Sequence, residues 1–194
     1  IRTFHLDPQK KTVLILGGSL GARTINQCVI ENIAKIKESG VQFIWQTGKI
    51  YINDAIAAIA NAGDVTMLHV TDFISNMAAA YSAADLVISR AGAGSISEFC
   101  LLEKPVILVP SPNVAEDHQT KNALALVNKN AALYVKDVNA KEELIDKAIQ
   151  AVNQPDLLNN LSINISKLAF ADSATIIAKE VIKLAKKHKE EHGC

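Results

Sequence analysis

The sequence predicts an α/β fold: a doubly wound, Rossmann-like parallel sheet of about six strands, with helices on both faces. Short β-branched runs alternate six times with stretches of helical periodicity, a pattern typical of parallel sheets. The strands read as continuous apolar runs, as expected when both faces of a sheet are covered. No internal repeat or clear linker is visible, so we expect a single domain over residues 1–194.

Each predicted strand leads into a predicted helix. The strands are expected at Thr12–Leu16, Gln42–Trp45, Val65–Val70, Leu86–Ser89, Val106–Val109 and Ala132–Val135. The helices that follow them are expected at Ala22–Lys37, Ile50–Ala62, Ile74–Ser82, Ser95–Leu102, His118–Asn128 and Ala140–Val152. Two carboxyl-terminal helices, with no strand between them, are expected over about residues 155–187.

The composition is that of a globular protein and argues against several classes of partner. Twenty basic residues balance twenty acidic ones and aromatic residues make up only 5%, which disfavours nucleic-acid binding. No apolar run approaches the roughly 20 residues that a membrane span needs. Three scattered cysteines suit neither a disulfide framework nor a zinc site, and so indicate a reducing cytosol. Because the chain begins with Ile1 and not Met, we expect it to be a piece of a longer protein.

A glycine-rich loop, Gly17–Arg23 (GGSLGAR), follows the first strand. Glycines between a strand and a helix let backbone N–H groups approach an anion at the positive end of the helix. The alternative is a tight turn in which Ser19 is the N-cap residue. The loop matches neither a P-loop nor GxGxxG, and no acidic residue ends the second strand, so dinucleotide binding is disfavoured.

A second loop of small residues, Ser89–Glu98 (SRAGAGSISE), follows the fourth strand. Ser95 and Glu98 have the spacing of a capping box, in which each satisfies an N–H group of the first helical turn. A capping box does not need two glycines and Arg90 upstream, so the loop also suits a ligand with separate phosphate and sugar parts. A carboxylate can accept two hydroxyl hydrogen bonds, and Glu98 therefore suits a ribose diol.

The loop after the fifth strand, residues 110–122, is rich in hydrogen-bonding side chains. Amides such as those of Gln119 and Asn122 have a donor and an acceptor each, which suits sugar hydroxyls. The alternative is a proline-containing loop with Asp117 as N-cap and the polar side chains in solvent.

Three segments in this order, GGSLGAR, VTDFISNMAAAYSAADLVISRAGAGSISE and DHQTKNA, together resemble one family. It is the bacterial peptidoglycan glycosyltransferase family that transfers N-acetylglucosamine (GlcNAc) from UDP-GlcNAc to undecaprenyl-pyrophosphoryl-MurNAc-pentapeptide (lipid I), giving lipid II. The resemblance covers roughly residues 1–170 and implies the GT-B fold, of which this chain would be the carboxyl-terminal, donor-binding half. It also implies an inverting hexosyltransferase that works in cell wall synthesis.

The resemblance implies which residues bind the phosphates of the donor. Ser19, with the backbone of Gly18 and Gly21, would face the pyrophosphate. Arg90 and Ser95 would support the phosphate and sugar region. The family uses no metal-binding Asp-x-Asp, and this sequence contains none, so we expect neither a metal nor another cofactor.

The resemblance also implies how the nucleoside and the sugar are held. Glu98 would hold the ribose hydroxyls, and the backbone of Phe73 and Ile74 would read the uracil edge. Arg2, in the remnant of an Asn-Pro-Val/Ile-Arg motif, would approach the base.

At the GlcNAc hydroxyls the resemblance implies the side-chain amides of Gln119 and Asn122. His118 lies beside them, where the family can place another amide.

On this interpretation, the amino-terminal acceptor domain is absent from this chain. That domain would hold lipid I, the general base and the patch that binds the cytoplasmic face of the membrane, so no catalytic residue is expected between Ile1 and Cys194. One alternative is a stand-alone nucleotide-sugar-binding subunit of a two-chain glycosyltransferase. The other is a Rossmann oxidoreductase, which the missing acidic residue disfavours.

Overall fold

The fold is a six-stranded, all-parallel sheet with helices on both faces, as the sequence predicts. The computed structural model describes residues 4–18, 20–63, 65–112, 117–170 and 173–192. The strands are β1 (Thr12–Leu16), β2 (Gln42–Gln46), β3 (Leu68–Thr71), β4 (Leu86–Ser89), β5 (Val106–Leu108) and β6 (Leu133–Tyr134). Their order across the sheet is β3-β2-β1-β4-β5-β6. Parallel pairing of β1 with both β2 and β4 makes β1/β4 the point where the strand order reverses.

Nine helices are described in the chain. They are α1 (Arg23–Glu31), α2 (Ile33–Glu38), α3 (Ile52–Asn61), α4 (Met77–Ala83), α5 (Ala93–Leu101), α6 (His118–Val127), α7 (Ala140–Val152), α8 (Pro155–Ser166) and α9 (Ser173–His192). A short 3₁₀ helix, Asp137–Asn139, precedes α7. The two expected carboxyl-terminal helices are therefore α8 and α9.

The sheet has one apolar core on each face, because successive strand side chains point in opposite directions. Val13 and Ile15 of β1 pack on the face covered by α1, α2, α3 and α7. Leu14 and Leu16 pack on the face covered by α4, α5 and α6. The side chains of β1, β2 and β4 are buried throughout, which explains why polar residues occur only at the ends of these strands.

Three predicted helix boundaries are wrong for local reasons, and α9 also extends to His192, beyond the expected end near residue 187. The single helix expected at Ala22–Lys37 is divided at Asn32, whose side-chain amide donates to the Cys28 carbonyl at 2.9 Å and competes with the helical hydrogen bonds. The helix expected from Ile74 begins at Met77 because the Asn76 side chain accepts from the Ala79 N–H, which makes Asn76 the N-cap. The third, at the start of α5, concerns the site and is described below.

Candidate donor-binding site

The loops that follow β1 and β4 lie side by side at the carboxyl edge of the sheet. Open parallel sheets bind ligands at this edge, at the point where the strand order reverses. The loop after β1 leads into α1 and the loop after β4 leads into α5, so two helix N-termini meet there. N-terminal N–H groups and the helix dipole both favour an anion at such a place.

The glycine-rich loop requires glycine because its backbone packs against neighbouring backbone. A Cβ on Gly17 would lie 2.6 Å from the Gln46 carbonyl oxygen. Gly21 has a φ of +89°, and a Cβ there would lie 2.7 Å from the Thr47 carbonyl oxygen. Gly18, with a φ of +72°, has open space around its missing Cβ. The backbone at Gly18 is therefore free for a ligand to approach.

The start of α1 has no side-chain cap among the described residues. The N-cap position is occupied by Ala22, so the predicted alternative with Ser19 as N-cap residue is wrong. Ser19 itself lies outside the described residues. The backbone of Gly21 is expected to face the pyrophosphate, and its N–H donates to the Gly18 carbonyl at 3.3 Å. The first N–H groups of α1 have no partner within the helix, so they are available to an anion.

The start of α5 corrects the predicted capping box. α5 begins at Ala93 with Gly92 at the N-cap position, and no side chain caps it. Ser95 is already inside the helix, so it cannot adopt the extended backbone that an N-cap residue needs. The Glu98 carboxylate accepts a hydrogen bond from the Tyr81 hydroxyl at 2.9 Å. The capping alternative for Glu98 is therefore wrong.

Arg90 is held by the protein through one of its terminal nitrogens. Nη1 donates to the carbonyl oxygens of Val109 and Pro110, at 3.0 and 3.2 Å, and forms an ion pair with Asp137. The Thr24 hydroxyl in the first turn of α1 donates to the other oxygen of Asp137 at 2.9 Å. All described hydrogen bonds of Arg90 use Nη1. Nη2 and Nε can therefore donate to an anion in the cleft.

The two predicted amides of α6 support the loop after β4. Gln119 Oε1 accepts from the N–H groups of Ala91 and Ser111, at 3.2 and 2.9 Å. Asn122 Nδ2 donates to the Ala91 carbonyl at 3.1 Å. Gln119 Nε2 and Asn122 Oδ1 are the groups that a sugar could use.

The first turn of α6 also tests the predicted cap at Asp117. Asp117 occupies the N-cap position of α6 with a φ of +54° but makes no capping hydrogen bond through its side chain. The prediction that Asp117 is the N-cap residue is thus confirmed in position, but the side-chain hydrogen bond of such a cap is not formed. His118 is the first residue of α6 and is exposed.

The segment expected to bind uracil, Phe73–Ile74, follows β3 and lies beside a small cavity. Phe73 is exposed whereas Ile74 is buried. The Phe73 carbonyl accepts from the Thr71 hydroxyl at 3.0 Å. The cavity, of about 190 Å³, is lined by both residues and by Phe4 and His69. Arg2, the other residue expected near the base, lies outside the described residues.

One cleft of about 210 Å³ unites the two loops at the strand reversal. The predicted residues that line it are Gly18, Arg90, Ser95 and Glu98. Gln46, Met77 and Tyr81 also line it and were not predicted from the sequence. A tyrosine within the alanine-rich run of α4 was the one signal that could have drawn attention to Tyr81. Of the other predicted residues that the structure describes, none lines this cleft: Gly21, Phe73, Ile74, His118, Gln119 and Asn122.

A larger cleft, of about 510 Å³, lies on another part of the surface between α5, α6 and the end of α8. Its lining is mainly apolar and includes Leu101, Leu126 and Leu168. It contains none of the predicted donor-site residues and few of the hydrogen-bonding groups that a nucleotide sugar needs. The hydrogen-bonding groups, more than the volume, favour the cleft of about 210 Å³ as the donor site.

The residues that the structure describes form neither an evident metal centre nor a membrane-spanning helix. They contain no group of three or more His, Cys, Asp or Glu side chains arranged to hold a metal ion. None of their helices is long and apolar enough to cross a membrane.

Comparison with known proteins defines the class to which this fold and site belong. The family model described as "Glycosyltransferase family 28 C-terminal domain" matches residues 12–177, and the chain belongs to this family. MurG of Acinetobacter baumannii, a solved structure, superposes with a TM-score of 0.80 at 27% identity, over 94% of this chain and 52% of MurG. The GT-B-like α/β fold predicted from the sequence is thus confirmed.

The chain is also similar to curated proteins. It is 75% identical to the UDP-N-acetylglucosamine–N-acetylmuramyl-(pentapeptide) pyrophosphoryl-undecaprenol N-acetylglucosamine transferase of Phocaeicola vulgatus, over the whole chain and 51% of that protein. It is 51% identical to the Porphyromonas gingivalis protein of the same name, over 93% of the chain and 48% of that protein. The chain therefore spans about half the length of the curated relatives it matches.

Proposed function

We propose that this chain is the donor-binding half of a glycosyltransferase that moves GlcNAc from UDP-GlcNAc to lipid I. One observation carries the proposal: the glycine loop that leads into α1, the first turn of α5, Arg90 and Glu98 line a single cleft at the strand reversal. Neither helix start is capped by the side chain of its N-cap residue. This arrangement supplies the groups for a diphosphate and a diol in one place. The similarity to the transferase of Phocaeicola vulgatus supports UDP-GlcNAc as the particular donor.

The cleft divides into parts that match the parts of the donor. The pyrophosphate lies between the starts of α1 and α5, against Gly18 and Ser19, with Arg90 and Ser95 beside it. The helix N-termini favour its negative charge. No metal is needed to offset this charge.

The nucleoside and the sugar extend to either side of the pyrophosphate. Glu98 accepts hydrogen bonds from the ribose diol, and the Phe73–Ile74 backbone binds the uracil with Arg2 close to it. Gln119 and Asn122 bind GlcNAc hydroxyls through the amide groups that the protein does not itself use. His118 lies at the same end of α6.

The reaction is an inverting displacement at the anomeric carbon of GlcNAc. The 4-hydroxyl oxygen of the acceptor forms the new bond, the bond from the anomeric carbon to the diphosphate breaks, and the hydroxyl proton passes to a general base. UDP leaves with the extra negative charge, which the helix N-termini and Arg90 stabilise. The acceptor site, the base and the contact with the cytoplasmic membrane face lie in the other half of the protein.

The proposal is tested by a transfer assay with and without an amino-terminal half. We expect the isolated chain to make no lipid II from UDP-GlcNAc and a soluble lipid I analogue, because the groups proposed to hold the acceptor at bonding distance lie in the other half of the protein. Fusion to the amino-terminal half of the Phocaeicola vulgatus relative should give turnover. Turnover by the isolated chain above a heat-killed control, abolished in His118→Ala, would contradict the proposal and identify His118 as the base.

A further inference from the structure

The carboxylate of Glu98 is held by a buried tyrosine from a neighbouring helix. Tyr81 lies on α4 and is only 4% exposed, whereas Glu98 lies on α5 and is exposed. The Tyr81 hydroxyl donates to Glu98 Oε2 at 2.9 Å. Among the described residues, this is the hydrogen bond that orients the Glu98 side chain toward the cleft.

The position of the Tyr81 ring is itself fixed by packing. Its ring meets the ring of Phe99 edge to face, with 6.2 Å between the centroids. Phe99 is fully buried and directly follows Glu98 in α5. The same tyrosine therefore contacts two consecutive residues of α5, one through its ring and one through its hydroxyl. A shift of the ring relative to α5 would disturb both contacts.

An exposed glutamate with no partner samples several rotamers, and fixing one of them on binding costs conformational entropy. Glutamate is among the side chains that lose most rotamer entropy on ordering. A protein that orders such a group before binding removes this cost from the ligand's affinity. Tyr81 does this with one carboxylate oxygen, and Oε1 of Glu98 keeps its acceptor sites.

We propose that Tyr81 is a positioning residue that orders the Glu98 carboxylate in advance to receive the vicinal diol of the donor's ribose. The inference rests on the proposed function, since it takes a ribose as the ligand of Glu98. Tyr81 acts through Glu98 and supplies no atom to the reaction.

The protonation state of Tyr81 is consistent with this role. Burial, followed by the hydrogen bond to Glu98 and its negative charge, raises the pKa of the Tyr81 hydroxyl above its usual value. The hydroxyl therefore stays protonated at neutral pH and acts as the donor in this pair.

Calorimetry with Tyr81→Phe tests the inference, because the substitution removes the hydroxyl and keeps the ring that packs on Phe99. The probes are UDP and 2′,3′-dideoxy-UDP, which lacks the diol. We expect Tyr81→Phe to weaken UDP about tenfold, within the range for a hydrogen bond to a charged group, and to change dideoxy-UDP less than about twofold. In a Glu98→Gln background, Tyr81→Phe should have little further effect on UDP. Tyr134→Phe, in a strand outside the cleft, is the matched control and should leave both affinities unchanged.

The outcomes separate this inference from the proposed function. Weaker UDP binding in Glu98→Gln but not in Tyr81→Phe would overturn the positioning role and leave the ribose site intact. Equal weakening of both probes by Tyr81→Phe would reduce Tyr81 to a structural residue and also overturn it. Equal affinities of the unmodified chain for UDP and dideoxy-UDP would overturn the assignment of Glu98 to the ribose, and the inference with it. Urea unfolding of each variant checks that its fold is retained.

Discussion

Arg90 and the two amides of α6 show how single residues combine a binding role with a structural one. Arg90 Nη1 holds the ends of β5 and the 3₁₀ helix, and Gln119 and Asn122 together bind both backbone groups of Ala91. Removing such a side chain leaves buried polar groups unpaired, which costs stability whether or not a ligand is present. Substitution by alanine at these positions would therefore confuse loss of fold with loss of affinity.

The ion pair between Arg90 and Asp137 is expected to contribute to stability. Both side chains are about four-fifths buried. Asp137→Asn should lower the free energy of unfolding by about 1–3 kcal/mol, because the arginine then lacks its counter-charge. The control is Asp146→Asn, which breaks the exposed pair with Lys35 and should cost less than about 1 kcal/mol. Equal losses of unfolding free energy in the two variants, measured by urea unfolding, would show that the buried pair contributes no more to stability than the exposed pair.

His69 should make the stability of the chain depend on pH. Burial, followed by the charge of His5, lowers the pKa of His69 below 6.5. Below pH 6.5 the unfolded chain therefore binds a proton that the folded chain does not, so the free energy of unfolding falls as the pH falls toward the folded pKa. Urea unfolding at pH 7.5 and pH 5.5 should show a smaller loss in His69→Gln than in the unmodified chain. An equal loss in both would remove His69 as the source.

At the level of secondary-structure elements, the close packing of the glycine loop against the loop after β2 shapes the phosphate region. Gly48 has a φ of +78°, and a Cβ on it would lie 2.6 Å from the Gly21 Cα. Backbone contacts this close cannot be relieved by turning a side chain, so the two loops fix each other.

Gly48→Ala is expected to lower the free energy of unfolding by much more than the cost of a left-handed backbone alone. Gly63 has the same φ of +78°, but a Cβ there would meet only the end of Lys37 at 3.8 Å. Gly63→Ala should cost about 1–2 kcal/mol, the usual cost of a left-handed backbone for an L-residue. Gly48→Ala has the same backbone cost and in addition a steric clash with Gly21, so its midpoint in urea should fall well below that of Gly63→Ala. Matching midpoints would mean that the loops can move apart.

The strands and helices could be predicted because each carries its own local pattern. Buried strands such as β1 and β4 are apolar at all but one position, and helices such as α7 show one apolar face, so both are visible in short windows of sequence. The start of α5 was mispredicted because Ser95 and Glu98 have the spacing of a capping box although they lie inside the helix. Whether the helix begins at Ser95 or already at Ala93 depends on the backbone of Ala93 and Gly94, which the sequence pattern does not reveal.

The candidate site could be predicted only where loops follow strands in sequence. Gly18, Arg90 and Glu98 were found because parallel strands bring the loops at their carboxyl ends together. The partners of these residues were missed because the sheet brings them in from far along the chain. Tyr81 is 17 residues from Glu98, and Asp137 is 47 residues from Arg90. No local pattern links either pair.

At the scale of the whole molecule, the site lies in an open cleft formed by one half of a larger family architecture. The chain covers about half of MurG from Acinetobacter baumannii and half of the Phocaeicola vulgatus relative. All the groups proposed to bind the donor belong to this chain, and the groups proposed to bind the acceptor do not. Donor binding and transfer should therefore be separable experimentally.

Calorimetric titration of this chain in EDTA tests the central claim most directly, with UDP-GlcNAc, UDP, NADH and ATP compared under the same conditions. We expect UDP-GlcNAc and UDP to bind with one site per chain and without a divalent metal, because helix N-termini and Arg90 offset the charge of the pyrophosphate. NADH and ATP should bind far more weakly. Affinity for UDP-GlcNAc that is absent in EDTA and appears with magnesium would contradict the metal-free site. Tighter binding of NADH than of UDP-GlcNAc would contradict the donor-binding assignment itself.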